Sequence, residues 1–79
     1  MKKIIVGLQQ TDTIQLNEVD RDTPIFAKKK GRLEGMLVKE KEGWIFRMGG
    51  EIGFSGYHDK REDCIRRAVE GGYEFFIED

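Results

Sequence analysis

Cysteine, histidine and proline occur only once each in this chain of 79 residues. Because Cys64 has no second cysteine to pair with, a disulfide within the chain is excluded, and a lone free thiol is typical of a reducing compartment. Structural zinc takes four Cys or His ligands, whereas this sequence offers only Cys64 and His58. We therefore predict a cytoplasmic domain that folds without a disulfide, a metal or a cofactor.

Long apolar runs are also missing. The run at residues 4–6 is three residues long, where crossing a bilayer takes roughly 20. It is also too short for a secretion signal, which needs an apolar core of about 7 to 15 residues after its basic start. Fourteen basic residues balance fifteen acidic ones, which argues against a nucleic-acid coat protein and against an acidic mimic of DNA. We therefore expect no membrane or nucleic-acid partner.

Alternating apolar residues and glycine-containing turns divide most of the chain into strands. Glycine in the short polar link at residues 41–43 indicates a hairpin. The predicted strands cover residues 3–8, 13–19, 25–29, 33–40, 44–48 and 73–77.

One helix is predicted, at residues 59–70. Asp59 suits the N-cap position, Glu62 lies three residues on as in a capping box, and Gly71 suits the helix end. The apolar stripe predicted to face the sheet consists of Cys64, Ile65, Ala68 and Val69.

The order of strands, one helix and one strand predicts a single α+β domain over residues 1–79. We expect a small antiparallel β-sheet of about five to six strands, with one C-terminal helix packed on one face and a last strand after it. A chain this short buries only about 60 to 65% of its unfolded surface, and its sheet edges need cover. A symmetric homodimer is therefore expected.

Glycine fills four of the eight positions in residues 49–56, directly before the predicted helix. Glycine lets the backbone approach a ligand closely, and a helix N-terminus attracts anions. We therefore predict a site for a small phosphate-bearing ligand, such as a nucleotide. Its residues are Arg47, Gly49, Gly50, Gly53, Ser55, Gly56, Tyr57, His58, Lys60 and Arg61.

A second interpretation of the same segment is a bent connector in which glycine only permits the turn. The pattern is neither a Walker A sequence nor a dinucleotide fingerprint, and a capping Asp59 would compete with an anion. The basic turn at residues 28–32 is similarly open to two interpretations, a phosphate contact or a solvated surface. Trp44 and Phe46 are more readily explained as core residues than as stacking platforms.

No catalytic residue is predicted. Cys64 falls on the apolar stripe and is expected to be a small buried hydrophobe, and His58 has no evident orienting partner. The sequence therefore favours a non-enzymatic binding module that binds or sequesters its ligand. The alternative is a protein-interaction module, a small inhibitor or accessory protein of the phage or mobile-element type, which acts through a sheet edge or the charged helix face.

Overall fold

A computed structural model describes residues 1–48, 51–52 and 56–78 of the chain. One α-helix, α1 (Arg61–Glu70), and a short 3₁₀ helix (Leu16–Glu18) accompany the strands. The strands are β1 (Lys2–Ile5), β2 (Thr13–Gln15), β3 (Ile25–Lys29), β4 (Arg32–Glu40), β5 (Gly43–Met48), β6 (Glu51–Ile52) and β7 (Glu74–Ile77).

All seven strands of the described residues join one sheet, in the order β2-β1-β7-β3-β4-β5-β6. The predicted α+β fold, with one C-terminal helix and a last strand, is confirmed. The sheet is mixed rather than wholly antiparallel, because β1 and β2 pair in parallel. The last strand, β7, lies in the interior of the sheet, antiparallel to both β1 and β3.

The parallel pair is joined by residues 6–12, a link shorter than the dozen or more residues that such connections usually need. Gly7 at φ 121° and Asp12 at φ 58° supply left-handed backbone for this tight return. The Gln15 side chain donates to the Gly7 carbonyl at 2.7 Å and fixes the end of β2. The chain then turns into the 3₁₀ helix, so the strand predicted over residues 13–19 ends at Gln15.

Strand alternation separates the sheet into an inner face, covered by α1, and an outer face on the opposite side. The inner face and α1 enclose the core, in which Phe46 and Phe75 are fully buried. The Phe46 ring meets the rings of Tyr73 and Phe75 edge to face, with centroids 4.8 and 5.8 Å apart. Gly35 allows the close approach of β4 to β5, since a Cβ there would lie 2.0 Å from the Arg47 carbonyl oxygen.

The helix begins later than predicted, and Asp59 is not its cap. His58 pairs with Trp44 as an extension of the sheet, so the chain stays extended until Lys60, which occupies the N-cap position without a side-chain cap hydrogen bond. The predicted stripe is right for Cys64, Ile65 and Ala68.

Val69, the fourth residue of that stripe, is 52% exposed. The helix packs over β5 and β7, and Val69 lies beside an open groove on the β1 side, together with Val6 and Leu8. Its prediction as a core residue is therefore wrong.

A pair of variants tests this helix orientation. Ala68→Asp would bury an unpaired charge, and we expect a loss of at least about 3 kcal/mol in the free energy of unfolding. Val69→Asp leaves its carboxylate in solvent and should change that free energy by about 0.5 kcal/mol or less. Urea unfolding followed by circular dichroism measures both, and equal destabilisation by the two variants would contradict the orientation.

Candidate functional site

Arg47 and Tyr57 lie on the outer face of the sheet. Because Trp44 and Phe46 of β5 are in the core, alternation sends Arg47 to the other side. The Arg47 guanidinium donates from Nε to Glu40 Oε2 at 2.5 Å and from Nη2 to Glu40 Oε1 at 2.7 Å. The Tyr57 hydroxyl donates to the same Glu40 Oε1 at 2.9 Å.

These contacts form a cluster of charge-assisted hydrogen bonds around the Glu40 carboxylate. The bonds from Arg47 and then from Tyr57 hold the pKa of Glu40 below its ordinary value. In return, the bond to Glu40 raises the pKa values of Arg47 and of Tyr57. The fork of Arg47 is thus engaged by a carboxylate of its own chain, which leaves it poorly placed to hold a phosphate.

Arg61 lies on the inner side of the sheet, at the start of α1. Its guanidinium donates to the backbone carbonyls of Leu16 at 3.1 Å, of Asp20 at 3.3 Å and of Val19. It also lies 6.0 Å from the centroid of the Trp44 ring, and burial lowers its pKa. Arg61 therefore ties α1 to the segment that follows β2.

Of the remaining predicted site residues, three lie in the described part of the chain and four lie outside it. His58 and Trp44 exchange backbone hydrogen bonds of 2.7 and 2.8 Å, Gly56 has a left-handed φ of 77°, and Lys60 is an exposed N-cap residue. Gly49, Gly50, Gly53 and Ser55 lie outside the described residues.

The described side chains of the predicted site therefore do not converge on one ligand position. Arg47 and Tyr57 lie on the outer face, whereas Lys60 and Arg61 lie at the inner end of α1. The sequence could have predicted this separation, because side chains alternate between the two faces of a strand. If Trp44 faces the inner side of the sheet, Arg47 three residues later must face the outer side.

A cavity of about 690 Å³ opens at the N-terminal end of α1, which we call the amino-end cavity. It lies between α1 and the segment that runs from β2 into the 3₁₀ helix, with Trp44 in its wall. Four basic and two acidic side chains line it, namely Arg21, Lys60, Arg61, Arg66, Asp59 and Glu62. Arg21 lies 40 residues before Arg61 in a polar loop, so local sequence pattern gave no indication of its place here.

The first turn of α1 adds backbone donors to this cavity. The N–H groups of Asp63 and Cys64 bond to the Lys60 carbonyl. No side chain of the described residues caps the helix, and none of them accepts a hydrogen bond from the N–H groups of Arg61 and Glu62. Donors of this kind, at the positive end of the helix dipole, favour an anion.

Electrostatics at the amino-end cavity favour a negatively charged ligand. Arg21 and Lys60 are exposed and free to turn towards a ligand. Arg66 approaches Glu62 at 4.0 Å in a loose exposed pair, and the balance of charge around the cavity is two positive charges.

The thiol of Cys64 is poorly placed for a nucleophilic role. Cys64 is 1% exposed, and burial raises the pKa of its thiol to about 11. Among residues 1–48, 51–52 and 56–78, no group of three His, Cys, Asp or Glu side chains is placed to hold a metal ion.

Comparisons of the chain with protein-family models, curated proteins and solved structures find no match. None of the helices formed by the described residues has the length and apolar character needed to cross a membrane.

The buried thiol predicts slow chemistry at Cys64. With a pKa of about 11, roughly one thiol in a thousand is ionised at pH 8, and the sulfur is also shielded from solvent. A thiol-reactive chromogenic disulfide should therefore label the native protein far more slowly than the urea-unfolded chain. Rapid labelling of the native protein would contradict this burial.

Arg61 is expected to be a structural residue. Arg61→Gln removes a charged donor from three carbonyls and should lower the free energy of unfolding by about 1 to 3 kcal/mol. Arg66→Gln, a matched change five residues further along α1 at an exposed arginine, should cost less than about 0.5 kcal/mol. Thermal and urea unfolding compare the two variants, and equal stabilities would refute the structural role.

Proposed function

We propose that this protein is a non-enzymatic binding module that binds or sequesters a small phosphate-bearing, nucleotide-like ligand in the amino-end cavity. The observation that carries the proposal is the convergence of Arg21, Lys60, Arg61 and Arg66 on one cavity at an uncapped helix N-terminus. Its volume of about 690 Å³ falls within the range of small-molecule sites.

The two exposed cations have distinct roles in this proposal. Arg21 offers a planar fork that matches two phosphate oxygens, whereas Lys60 offers a point charge beside the first turn of α1. Arg61 is occupied by carbonyls, so it contributes its charge rather than its fork. Asp59 and Glu62 oppose the anion and keep the affinity moderate, and added salt should weaken binding because the charges are partly exposed.

A binding role is favoured over catalysis because the residues around the cavity provide charge and hydrogen-bond donors but no activated nucleophile. Cys64 is buried with a raised pKa, and His58 is not among the described residues that line the cavity. We accordingly propose a cytoplasmic protein that acts by holding its ligand, without a cofactor.

The alternative function, a small inhibitor or accessory protein that acts through a sheet edge or the helix face, draws less support. The edge strands β2 and β6 have three and two residues, which is too short to template a partner strand well. On the exposed face of α1, Glu62 pairs with Arg66 and Arg67 pairs with Glu70.

The fluorescence of Trp44 can be used to measure ligand binding to the cavity. Trp44 is the only tryptophan and lines the cavity, so its fluorescence should change when a ligand binds. The test is titration of the protein with inorganic phosphate, nucleoside monophosphates and nucleoside triphosphates, followed by fluorescence and calorimetry.

The decisive comparison uses two double variants that remove the same charge. Arg21→Gln/Lys60→Gln should weaken binding of the best ligand about tenfold or more, since charge-assisted contacts to the phosphate are lost. Lys30→Gln/Arg32→Gln, two exposed residues around the β3–β4 turn, should leave the affinity near that of the unmodified protein. Equal affinities of the two variants, or no response to any of these anions, would refute the proposal.

A further inference from the structure

A second cavity, of about 510 Å³, lies between α1 and the chain that runs from β1 into the following link, and we call it the helix groove. Two of the aliphatic residues that line it are exposed, since Leu8 is 91% and Val69 is 52% exposed. Val6 is half-buried beside them, and Ile65 of α1 is buried. The helix groove therefore presents aliphatic side chains to solvent.

The helix groove adjoins the amino-end cavity. Val6 and Arg66 line both of them, and Arg66 lies near the middle of the ten-residue helix. From there the amino-end cavity extends back to Lys60, whereas the helix groove extends on to Glu70. With a rise of about 1.5 Å per residue, α1 is about 15 Å long, so the two spaces together follow one side of the helix.

A positively charged space that adjoins an aliphatic one matches a ligand divided in the same way. We propose that the ligand is an amphiphilic phosphate monoester, with its phosphate in the amino-end cavity and an aliphatic chain in the helix groove. The inference rests on the proposed function, which places the phosphate, and it adds the chemical class of the part that extends beyond the phosphate.

Charge determines which end of the ligand occupies which space. The amino-end cavity carries an excess of two positive charges. At the helix groove the charges balance, with Lys3 and Arg66 against Glu70 and Glu74, and Lys3 is paired with Glu74 at 2.8 Å. A phosphate is therefore attracted to the amino-end cavity, and the uncharged chain is left to the groove.

The side chains of the helix groove favour an aliphatic chain over a nucleobase. A base without partner bases is commonly held by stacking on aromatic rings. The two aromatic residues that line the groove, Tyr73 and Phe75, are only 9% and 0% exposed, so neither presents a ring face for stacking. Aliphatic side chains such as Val6 and Val69 make non-directional apolar contacts, which suit a flexible chain.

Calorimetric titration of the full chain with inorganic phosphate, butyl phosphate and octyl phosphate, each below the concentration at which it forms micelles, tests the proposal. A methylene group that moves from water into a fully apolar site raises the affinity about fourfold, and the open groove should give about twofold. Octyl phosphate should therefore bind about tenfold or more tightly than butyl phosphate. Octyl glucoside, which has the same chain without a phosphate, should bind more weakly than octyl phosphate.

Two variants test the position of the chain. Leu8→Gln/Val69→Gln makes the groove polar, so it should weaken binding of octyl phosphate about fivefold or more and leave the affinity for inorganic phosphate unchanged. Leu33→Gln is the control, since Leu33 is 61% exposed and lines neither space. It should bind both molecules like the unmodified protein, and circular dichroism verifies that each variant is folded.

The outcomes separate this inference from the function on which it rests. Equal affinities for butyl and octyl phosphate, with inorganic phosphate still bound, would overturn the inference and leave the proposed function intact. If the unmodified protein binds none of the phosphates, both fail. A folded Leu8→Gln/Val69→Gln variant that keeps full affinity for octyl phosphate would place the chain elsewhere. Sedimentation with phosphatidic acid vesicles, without binding of monomeric octyl phosphate, would also overturn the inference, because the partner would then be a membrane surface.

Discussion

The buried ring of Phe46 connects the parts of this fold that are far apart in sequence. It meets Tyr73 and Phe75 at the start of the last strand, edge to face, and Gly35 on the neighbouring strand leaves room for it. Aromatic pairs in this geometry add about 0.5 to 1.5 kcal/mol each beyond the burial of their area. These ring contacts help to hold β7 inside the sheet, between β1 and β3. Because α1 directly precedes β7 in the chain, α1 packs across the inner face.

With Phe46 turned inward, the roles of its neighbours on β5 are fixed. Trp44 also faces the helix and becomes a wall of the amino-end cavity, while Ile45 and Arg47 must face outward. One strand therefore contributes side chains to both faces of the sheet: Trp44 lines the amino-end cavity on the inner face, and Arg47 joins the hydrogen-bonded cluster with Glu40 and Tyr57 on the outer face.

The local sequence pattern predicted most of the strands and the helix, but it did not predict the order and direction in which the strands pair. The strand at residues 25–29 has the predicted bounds, because Pro24 directly before it and Gly31 shortly after it limit its extent. The parallel pairing of β1 with β2 and the interior position of β7 depend on contacts between distant segments, which local periodicity does not encode. The helix start was misplaced because pairing of His58 with Trp44 keeps the chain extended beyond the expected cap.

The candidate site was predicted only in part for the same reason. A helix N-terminus with Lys60 and Arg61 was visible in the sequence, but Arg21 joins it from a distant loop. The engagement of Arg61 by three carbonyls more than 40 residues earlier in the chain has no local signature. The pairing of Arg47 with Glu40, by contrast, joins two residues of the same β4–β5 hairpin, although the direct register partners of Arg47 and Glu40 are Met36 and Gly43.

The central claim is that the amino-end cavity holds an anion through the first turn of α1. It is tested most directly by a titration of the isotopically labelled protein with inorganic phosphate, followed by proton–nitrogen correlation spectra. The account predicts that the amide signals of Arg61 and Glu62 move saturably, together with the indole signal of Trp44, while those around Glu40 and Tyr57 stay fixed. Stationary signals at Arg61 and Glu62, or movement confined to the outer face, would contradict it.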